Sequence, residues 1–432
     1  MCESGWATIS RTRSAVPSPH IEMNAPPVVI RRVVLRNYKS IAACEVSLAP
    51  LTFLVGANGS GKSNFLDSLR FLSDSLRTSL DHALRDRGTI KEVRRRSGGH
   101  PNHFALRVDF ALRDGGAGHY AFRVGAKPSG GYEVQNEECR LLPGEPGAPS
   151  AHYHVRSGAV VQSSHTQLPV TLSDRLALVA AAGLPAFRPV YDALTAIEIY
   201  NLNPRAMSEM QRPDPGVLLR RDGANAASVL QNTDAATRIR INEYLSEIVP
   251  GVQSAEPKTI GAQETIEFRQ AVKGQQHPWH FIAASMSDGT LRALGILLAI
   301  HQQRPAGNGA PSPSLIGLEE PETALHPAAT SLLLAALRQS SHQTQIVVTS
   351  HSPDLLDNPD IESASLLAVL NEDGLTRIGP IDAAGREMLR GRLFTPGELL
   401  RQNQLAPDNA ALSDVRSEAQ LGLFEITGNG GK

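Results

Sequence analysis

Residues 56–63 read GANGSGKS and match the phosphate-loop pattern G-x-x-x-x-G-K-[ST]. A short apolar segment, residues 51–55, precedes the loop, and residues with helical periodicity follow it. This strand–loop–helix order suits a polyphosphate, because glycines let backbone amides turn toward the anion and a helix N-terminus adds unpaired N–H groups. A glycine-rich turn that matches by chance is the alternative, and the flanking strand and helix disfavour it.

The loop also supplies an ammonium and a hydroxyl group. Lys62 would reach the β- and γ-phosphates of a nucleotide, and the hydroxyl of Ser63 would be a ligand of Mg²⁺. The residues predicted to bind the nucleotide here are Gly56, Ala57, Asn58, Gly59, Ser60, Gly61, Lys62, Ser63 and Asn64.

Two adjacent carboxylates follow a second apolar segment. Residues 315–318 lead into Glu319 and Glu320, within the stretch SLIGLEEPETALHP. In phosphate-loop NTPases a neighbouring parallel strand ends in a carboxylate that holds the Mg²⁺ shell, and Glu319 fits that place. Glu320 would accept a proton from the attacking water, or orient it. Successive strand residues point to opposite sides, so one carboxylate could face the metal and the other the water. Taken alone, the pair could also be a solvated acidic turn.

Two further segments place polar residues where α/β proteins bind ligands. The stretch SMSDGTLRALGILLAI, residues 285–300, places Ser287 at the start of an apolar helix, and the bare Gly289 would permit close approach of an anion. The stretch QIVVTSHSPDLLD, residues 345–357, ends a buried strand with His351, at the end of the strand where open sheets bind ligands. Each segment also has a plain structural interpretation, as a capped core helix and as a structural histidine.

Together these segments resemble the ATP-binding-cassette heads of the SMC/RecF-type ATPases, including AAA-type ATPases related to the overcoming-lysogenisation-defect group. Met286–Thr290 resembles the signature motif, EEPETALHP the Walker B and D-loop segment, TSHSP the switch-histidine loop, and RNYKSI, residues 36–41, the opening motif N-[FY]-[KR]-S. The resemblance covers about residues 28–375, in the expected order. It implies an α/β fold, namely an ABC-type P-loop NTPase head with a mixed central sheet, an antiparallel β meander and an inserted, mostly helical subdomain.

The resemblance further implies a site that two copies of the chain complete. Two heads would form a homodimer around two ATP molecules and Mg²⁺. Ser287 and Gly289 of one copy would contact the γ-phosphate that Lys62 of the other copy holds. His351 would sense or position that phosphate, and hydrolysis through Glu320 would reopen the dimer. By the same resemblance, Lys39 of the opening motif would touch the nucleotide.

The match to the family pattern is incomplete at several places. Glu319 stands where the family usually has an aspartate, one methylene shorter. No convincing Q-loop glutamine follows the phosphate loop, since Gln135 and Gln162 are poor candidates, and that contact stays unassigned. No heptad run is long enough for an extended coiled coil, so a protein with long coiled-coil arms is not expected.

Shifts in composition and periodicity divide the chain into a leader, a head and a tail. Alternating apolar and polar residues begin near Val28, and a helix–strand alternation typical of parallel sheets begins near Ser287. The predicted regions are a flexible leader (1–27), the ATPase head (28–375) with an antiparallel β lobe (104–162) and a helical insertion (174–247), and a polar tail with helical fragments (376–432).

The chain of 432 residues is almost neutral, with 42 Lys and Arg against 43 Asp and Glu, so its composition makes no general case for nucleic-acid binding. A basic run in residues 85–103 is a local exception, and it could grip a phosphate backbone, form a solvated face or meet a partner. The candidate DNA contacts are Arg85, Arg87, Arg94, Arg95 and Arg96. His100 and His103 are interpreted as loop residues, because two histidines without further ligands do not make a metal site.

The sequence also indicates the cellular compartment of the protein. The three cysteines are scattered, without metal-ligand spacing. No stretch approaches the roughly 18 apolar residues of a membrane span, and the N-terminus has no apolar signal core. A cytoplasmic protein without membrane contact is therefore expected.

The leading hypothesis is a dimeric ATPase that acts on DNA or gates a partner effector encoded nearby, as in genome maintenance or phage defence. One alternative is the nucleotide-binding subunit of a transporter, which the missing Q-loop glutamine and the NYKS opening oppose. Another is an ATP-sensing interaction module with little hydrolysis. A nuclease is disfavoured because no D-x-D pair occurs, and a GTPase because no N-K-x-D motif occurs.

Overall fold

The structure is a computed structural model that describes residues 28–97, 101–112, 115–145, 147, 149–169, 171–302, 312–358, 361–408 and 422–425. Its strands are β1 (Val28–Tyr38), β2 (Ile41–Ser47), β3 (Leu51–Val55), β4 (His103–Leu112), β5 (Ala117–Ala126), β6 (Tyr132–Leu142), β7 (Ala151–Arg156), β8 (Ala159–Ser163), β9 (Ile197–Tyr200), β10 (Val252–Ile260), β11 (Gln263–Gln270), β12 (Trp279–Ile282), β13 (Leu315–Glu319), β14 (Gln345–Ser350), β15 (Leu366–Glu372) and β16 (Leu375–Pro380).

The helices pack on both faces of these strands. They are α1 (Lys62–Arg77), α2 (Leu80–Arg85), α3 (Ile90–Val93), α4 (Ala177–Ala181), α5 (Arg188–Thr195), α6 (Pro204–Ser208), α7 (Ala226–Asn232), α8 (Ala235–Ile248), α9 (Asp288–His301), α10 (Pro327–Ser341), α11 (Pro353–Leu356), α12 (Ala383–Arg390) and α13 (Pro396–Arg401).

One large mixed sheet carries the fold. In the described residues it has 13 strands in the order β8-β7-β6-β5-β4-β1-β2-β16-β15-β3-β14-β13-β9, and β10, β11 and β12 form a separate small sheet. From β8 to β2 every neighbouring pair is antiparallel. From β15 to β9 every neighbouring pair is parallel. The carboxyl ends of β3, β9, β13, β14 and β15 therefore meet at one edge of the sheet.

The central strands β3 and β14 are buried along their whole length because helices cover both of their faces. All five residues of β3 are buried, and they alternate between two apolar clusters. Leu54 packs with residues of α1, α5 and the antiparallel strands, whereas Phe53 and Val55 pack with residues of α7, α8, α9 and α10. The sheet thus separates two cores, and its parallel edge lies between them.

Three regions differ from the sequence expectation. The 104–162 segment does form antiparallel strands, but β4 pairs with β1, so these strands extend the main sheet. The 174–247 segment is mostly helical, yet Ile197–Tyr200 forms β9, the edge strand beside β13. A four-residue apolar strand between helices has too little periodicity to stand out. The expected boundary at residue 375 falls at the start of β16, which pairs with β15 inside the sheet, so the tail begins later.

Candidate nucleotide-binding site

The phosphate loop follows β3 at the parallel edge of the sheet. Ala57, Asn58 and Gly59 are exposed at its outer rim, whereas Gly56 and Ser60 are buried. The exposed rim is the part of the loop that a ligand could reach.

Lys62 lies inside the loop, only 5% exposed. Its ammonium group donates hydrogen bonds to the carbonyl oxygens of Gly56 (2.7 Å) and Ala57 (2.9 Å). An ammonium group has three donors, so one proton stays available for a phosphate oxygen. Burial lowers the pKa of Lys62, although the charges of Glu320 and Glu322 raise it. An anion in the loop would therefore stabilise the charged form.

A close approach requires the third glycine of the loop, Gly61. Gly61 has φ 106°, in the left-handed region, and a Cβ there would lie 2.1 Å from Thr376 Oγ1. No side chain fits that space. Thr376 Oγ1 in turn donates to the carbonyl of Ser60 (2.9 Å) and lies 2.7 Å from Ser40 Oγ. Ser40 Oγ accepts a hydrogen bond of 2.7 Å from Asn64 Nδ2. The conformation of the loop is therefore stabilised by hydrogen bonds to β16 and to the opening motif.

The acidic pair lies across from the loop. Ser63 Oγ donates a 2.8 Å hydrogen bond to Glu319 Oε2, which brings the two predicted magnesium ligands together. Burial raises the pKa of Glu319 above its ordinary value, and the hydrogen bond from Ser63 opposes the rise. Hydroxyl and carboxylate oxygens are the ligands that Mg²⁺ prefers, and a cation here would offset the burial of the carboxylate. The donor set thus fits magnesium.

The two carboxylates diverge for a reason other than strand alternation. β13 ends at Glu319, and Glu320 has φ 44°, a left-handed conformation that is rare for a residue with a side chain. Its backbone N–H bonds the carbonyl of Thr349 (3.0 Å), which ties the turn to β14. Such strained positions concentrate at functional sites. Glu319 and Glu320 thus contact different groups, Ser63 and His351, because of this turn and not because of the predicted strand alternation.

His351 follows β14 and lies beside Glu320. Its Nδ1 is 3.1 Å from Glu320 Oε1, and the two side chains are 37% and 36% exposed. Despite this short distance, Nδ1 has no hydrogen-bond partner among the described residues. The histidine and the carboxylate thus share one half-exposed position at the sheet edge.

A third glutamate of the same motif was missed by the sequence analysis. Glu322 is 6% exposed and accepts a 2.5 Å hydrogen bond from Ser350 Oγ, while its Oε2 finds no hydrogen-bond partner in the described chain. Burial raises its pKa, against the Ser350 bond and the nearby His351, which lower it. The spacing E-E-P-E contained this residue, but burial of the third carboxylate is a tertiary property.

The signature tip, Met286–Thr290, reaches the surface at two of its residues, whereas Thr290 is buried. Ser287 and Asp288 are exposed. Ser287 Oγ accepts a hydrogen bond from the backbone N–H of Thr290 (3.3 Å) and so caps α9 as predicted. A Cβ at Gly289 would lie 2.3 Å from the carbonyl oxygen of Ala324. A glycine is therefore needed here because the backbone packs closely on the turn after Glu322. This contact within the chain was not predicted from the sequence.

Lys39 does not extend toward the phosphate loop. Its ammonium lies 2.5 Å from Asp67 Oδ2 on α1, and Asp67 also accepts from Tyr38 and Arg87. Because its ammonium group is paired with the partly buried carboxylate of Asp67, Lys39 is not available to bind a phosphate. The predicted contact of Lys39 with nucleotide has no support in this geometry.

The basic run does not form one exposed patch. Arg87 is wrong as a DNA contact, because its side chain is 6% exposed and pairs with Asp67 (3.0 Å) and Asp74 (3.2 Å). Arg85 pairs with Asp81, Arg96 with Glu92, and Arg94 donates to the carbonyl of Pro101. Arg95 is partly exposed, with its backbone N–H bonded to Asn37.

The histidines of that run do not suggest a metal site. His103 Nδ1 lies 3.0 Å from Asn102 Oδ1. His100 lies outside the described residues, and no cluster of three or more candidate metal ligands occurs in the part of the chain that the structure describes.

Neither glutamine considered for the Q-loop lies at the candidate site. Gln135 and Gln162 lie on β6 and β8, far along the antiparallel half of the sheet. β9 pairs with the strand that ends in Glu319, so Asn201, which follows β9, comes at the parallel edge. The Q-loop contact itself stays unassigned.

Comparisons with known proteins agree with this architecture. Residues 29–110 match the family model "AAA ATPase domain", and residues 210–357 match "AAA domain, putative AbiEii toxin, Type IV TA system". The structure is similar to an Smc head bound to the C-winged helix domain of ScpA (14% identity, 83% of this chain and 99% of that chain covered, TM-score 0.51).

A second similar structure is the Pyrococcus furiosus Smc head domain with an extended coiled coil, bound to the C-terminal domain of ScpA. It is 13% identical, and the similarity covers 85% of this chain and 99% of that chain with a TM-score of 0.52. The protein has the fold of an SMC-type ATPase head. The fold class predicted from the motifs is confirmed.

Two further findings concern this chain. No curated protein matches the chain by sequence. Within the described residues, no helix has both the length and the apolar character that crossing a membrane requires.

Proposed function

We propose that this SMC-type head is an ATP-binding and ATP-hydrolysing switch that closes with a second copy of itself around two ATP–Mg²⁺. The observation that carries the proposal is the meeting of Lys62, Ser63, Glu319, Glu320 and His351 at one sheet edge. Three strands, β3, β13 and β14, deliver these residues from distant parts of the sequence. A phosphate cradle, a magnesium ligand set and a proton acceptor at one edge are the parts that phosphoryl transfer to water needs.

The loop side of the site binds and neutralises the phosphates. Lys62 would offer its remaining proton to the β- and γ-phosphate oxygens. The exposed loop residues Ala57, Asn58 and Gly59 would turn their backbone amides toward the same ligand. Ser63 and Glu319 would hold Mg²⁺, which when bound supplies positive charge to the phosphate oxygens.

The carboxylate side of the site would position and deprotonate the attacking water. Glu320 would accept its proton, and His351 beside it would contact the γ-phosphate. Glu322, held by Ser350, would keep the turn behind them in place. The left-handed turn at Glu320 directs this carboxylate away from Glu319, so that metal binding and proton transfer use separate groups.

The exposed signature tip supports the dimer. Ser287 caps α9 through its side chain and is open to solvent, so a second copy could reach it. In the proposed dimer, Ser287 and the backbone at Gly289 contact the γ-phosphate of the partner's nucleotide. Such contacts exist only with ATP, so ATP favours the closed dimer and hydrolysis releases it.

The test uses a variant that binds ATP without hydrolysing it. Glu320→Gln should elute as a dimer from a sizing column with ATP and Mg²⁺ and as a monomer with ADP. Its turnover should fall by about 100-fold or more. The exposed Glu247 on α8 supplies a matched control, Glu247→Gln, which should behave as wild type. A monomer at every ATP concentration would overturn the dimer, and equal, negligible turnover in wild type and Glu320→Gln would favour an ATP sensor.

The output of the switch is proposed to be a partner protein or DNA. The two similar Smc heads are bound to domains of ScpA, which supports a protein partner here. The burial of Arg87 weakens the DNA alternative. A cytoplasmic role in phage defence or genome maintenance remains our proposal, and co-purification with a membrane protein would favour a transporter subunit instead. A pull-down with Glu320→Gln and ATP tests for the partner.

A further inference from the structure

A wide cleft opens beside the candidate site, on the flank of the sheet formed by β9. It has a volume of about 920 Å³ and is lined by the second half of α1, residues 201–204 after β9, residues 218–222 and Arg292 of α9. This volume is in the range of small-molecule sites. We name it the arginine cleft, because Arg70, Arg77, Arg220, Arg221 and Arg292 line it.

The cations around α1 outnumber their carboxylates. Asp74 alone contacts three guanidinium groups, those of Arg70 (3.5 Å), Arg87 (3.2 Å) and Arg221. Asp67 is shared by Arg87 and Lys39. Four cations thus face two carboxylates. Burial lowers the pKa of Arg70, and the charge of Arg221 lowers it further, as expected where like charges are held together.

Arg292 adds a cation with no ion pair in the described structure. Its Nε is buried without a hydrogen-bond partner in the described residues. The Nε of Arg70 also makes no hydrogen bond there, although it lies 3.5 Å from Asp74 Oδ2. Burial lowers the pKa of Arg292, against the charges of Asp288, Glu320 and Glu322. The charge of Arg70 likewise acts on Glu319. Both arginines line the cleft, and their charges act on the pKa balance of the candidate site.

The other acids that line the cleft are already engaged. Glu198 pairs with Arg77, Asp86 lies 3.2 Å from His82, and Asp222 accepts the backbone N–H of Ala224. They do not neutralise Arg70 and Arg292. A doubly charged oxyanion would supply the missing acceptors, since guanidinium groups match phosphate geometry.

We propose that the arginine cleft is a second anion site, which binds the phosphate group of a ligand through Arg70, Arg221 and Arg292. The phosphate could come from two sources, inorganic phosphate or the backbone of a single-stranded nucleic acid. Only the first source, as the hydrolysis product leaving Glu320, depends on the proposed ATPase function. Binding in the cleft as such does not.

The test separates the cleft from the phosphate loop. In a Lys62→Ala background, which removes the loop ammonium, calorimetric titrations use inorganic phosphate and a short single-stranded oligonucleotide. Adding Arg70→Gln or Arg292→Gln should weaken phosphate binding by about tenfold each, because each removes a charge-assisted hydrogen bond. The control is Arg188→Gln, an exposed arginine of α5 that pairs with Asp192 outside the cleft and should leave the affinity unchanged.

Each outcome decides the matter. If Arg70→Gln and Arg292→Gln weaken the binding of inorganic phosphate but not of the oligonucleotide, the cleft is a site for free phosphate. If they weaken the binding of both probes, the cleft binds a nucleic-acid backbone. Equal affinities in the Arg70, Arg292 and Arg188 variants, or no binding of either probe to Lys62→Ala, would overturn the proposal. If a glutamine variant unfolds, Arg292→Met keeps the volume without the charge. Binding of a fluorescent ATP analogue to the wild type is measured separately, so a failure of the proposed function is recognised independently.

Discussion

Thr376 Oγ1 donates a hydrogen bond of 2.9 Å to the carbonyl oxygen of Ser60, so a residue of β16 holds the phosphate loop. The same hydroxyl lies 2.7 Å from Ser40 Oγ, and its atoms fill the space in which a Cβ at Gly61 would stand. Thr376 is 1% exposed. The shape of the loop therefore depends on a strand more than 300 residues further along the chain.

Thr376→Val should weaken ATP binding by about tenfold and lower the free energy of unfolding by about 1–3 kcal/mol. Valine keeps the shape but removes the hydroxyl, which leaves the buried groups at Ser60 and Ser40 without this partner. Titration with a fluorescent ATP analogue and chemical denaturation measure the two effects. Thr376→Ser keeps the hydroxyl and is the control, so equal losses in both variants would contradict the hydrogen-bond explanation.

The chemistry of the site was predictable from sequence where it depends on local pattern. The glycine spacing before Lys62 and the strand that ends in Glu319 are short motifs with fixed physical requirements, and the structure brings Ser63 and Glu319 within 2.8 Å. The cap of α9 by Ser287 is local in the same sense. These features depend on neighbours a few residues away.

Features that depend on distant contacts were not predictable in the same way. Arg87 looked like a surface cation, because no pattern near it shows that Asp67 and Asp74 enclose it. Gly289 needs Ala324, and Gly61 needs Thr376, and neither partner is near in sequence. β9 is four residues long, so its pairing with β13 decides its structure more than its own composition.

Glu319→Gln should stabilise the nucleotide-free protein at pH 7, by about 1–3 °C in Tm, in magnesium-free buffer. Burial raises the pKa of Glu319 above its ordinary value of 4.5. Between these two values the folded protein binds a proton that the unfolded chain releases, so the free energy of unfolding falls as the pH rises through this window. The penalty is complete above the raised pKa. Glutamine removes it and can still accept the hydrogen bond from Ser63.

Melting curves from pH 4 to pH 8 measure this effect. The advantage of Glu319→Gln should vanish as the pH falls toward 4.5, and Glu247→Gln should show no such trend. Added ATP and Mg²⁺ should raise the Tm of the wild type more than that of the variant, because the glutamine carries no charge for the metal. A wild type that is more stable than Glu319→Gln at pH 7 without ligands would refute the assignment.

Arg87→Gln should lower the free energy of unfolding by about 3 kcal/mol, because it leaves Asp67 and Asp74 buried with fewer cations. The nearby Arg85 is the control, since its side chain is 77% exposed and, among the described residues, forms an ion pair only with Asp81. Arg85→Gln should change the free energy of unfolding by no more than about 0.5 kcal/mol. Urea denaturation compares the two. Similar small losses would mean that the buried network around α1 is not stabilising.

The last prediction separates the two roles of Ser287, as helix cap and as a contact for the partner's nucleotide. Ser287→Ala should lower the free energy of unfolding by about 0.5–2 kcal/mol, because the N–H of Thr290 loses its acceptor. Ser287→Asp keeps a good capping side chain and should be as stable as wild type. Its negative charge, however, would meet the γ-phosphate of the second copy.

In the Glu320→Gln background, Ser287→Asp should therefore bind ATP normally yet elute as a monomer from the sizing column. Ser287→Asn, which caps the helix without adding charge, is the control and should retain the dimer at higher protein concentration. If Ser287→Asp dimerises with ATP as well as Glu320→Gln alone, the tip does not approach a phosphate. The exposure of Ser287 would then be explained by its position at the start of α9, and the second copy would have to complete the site by another surface.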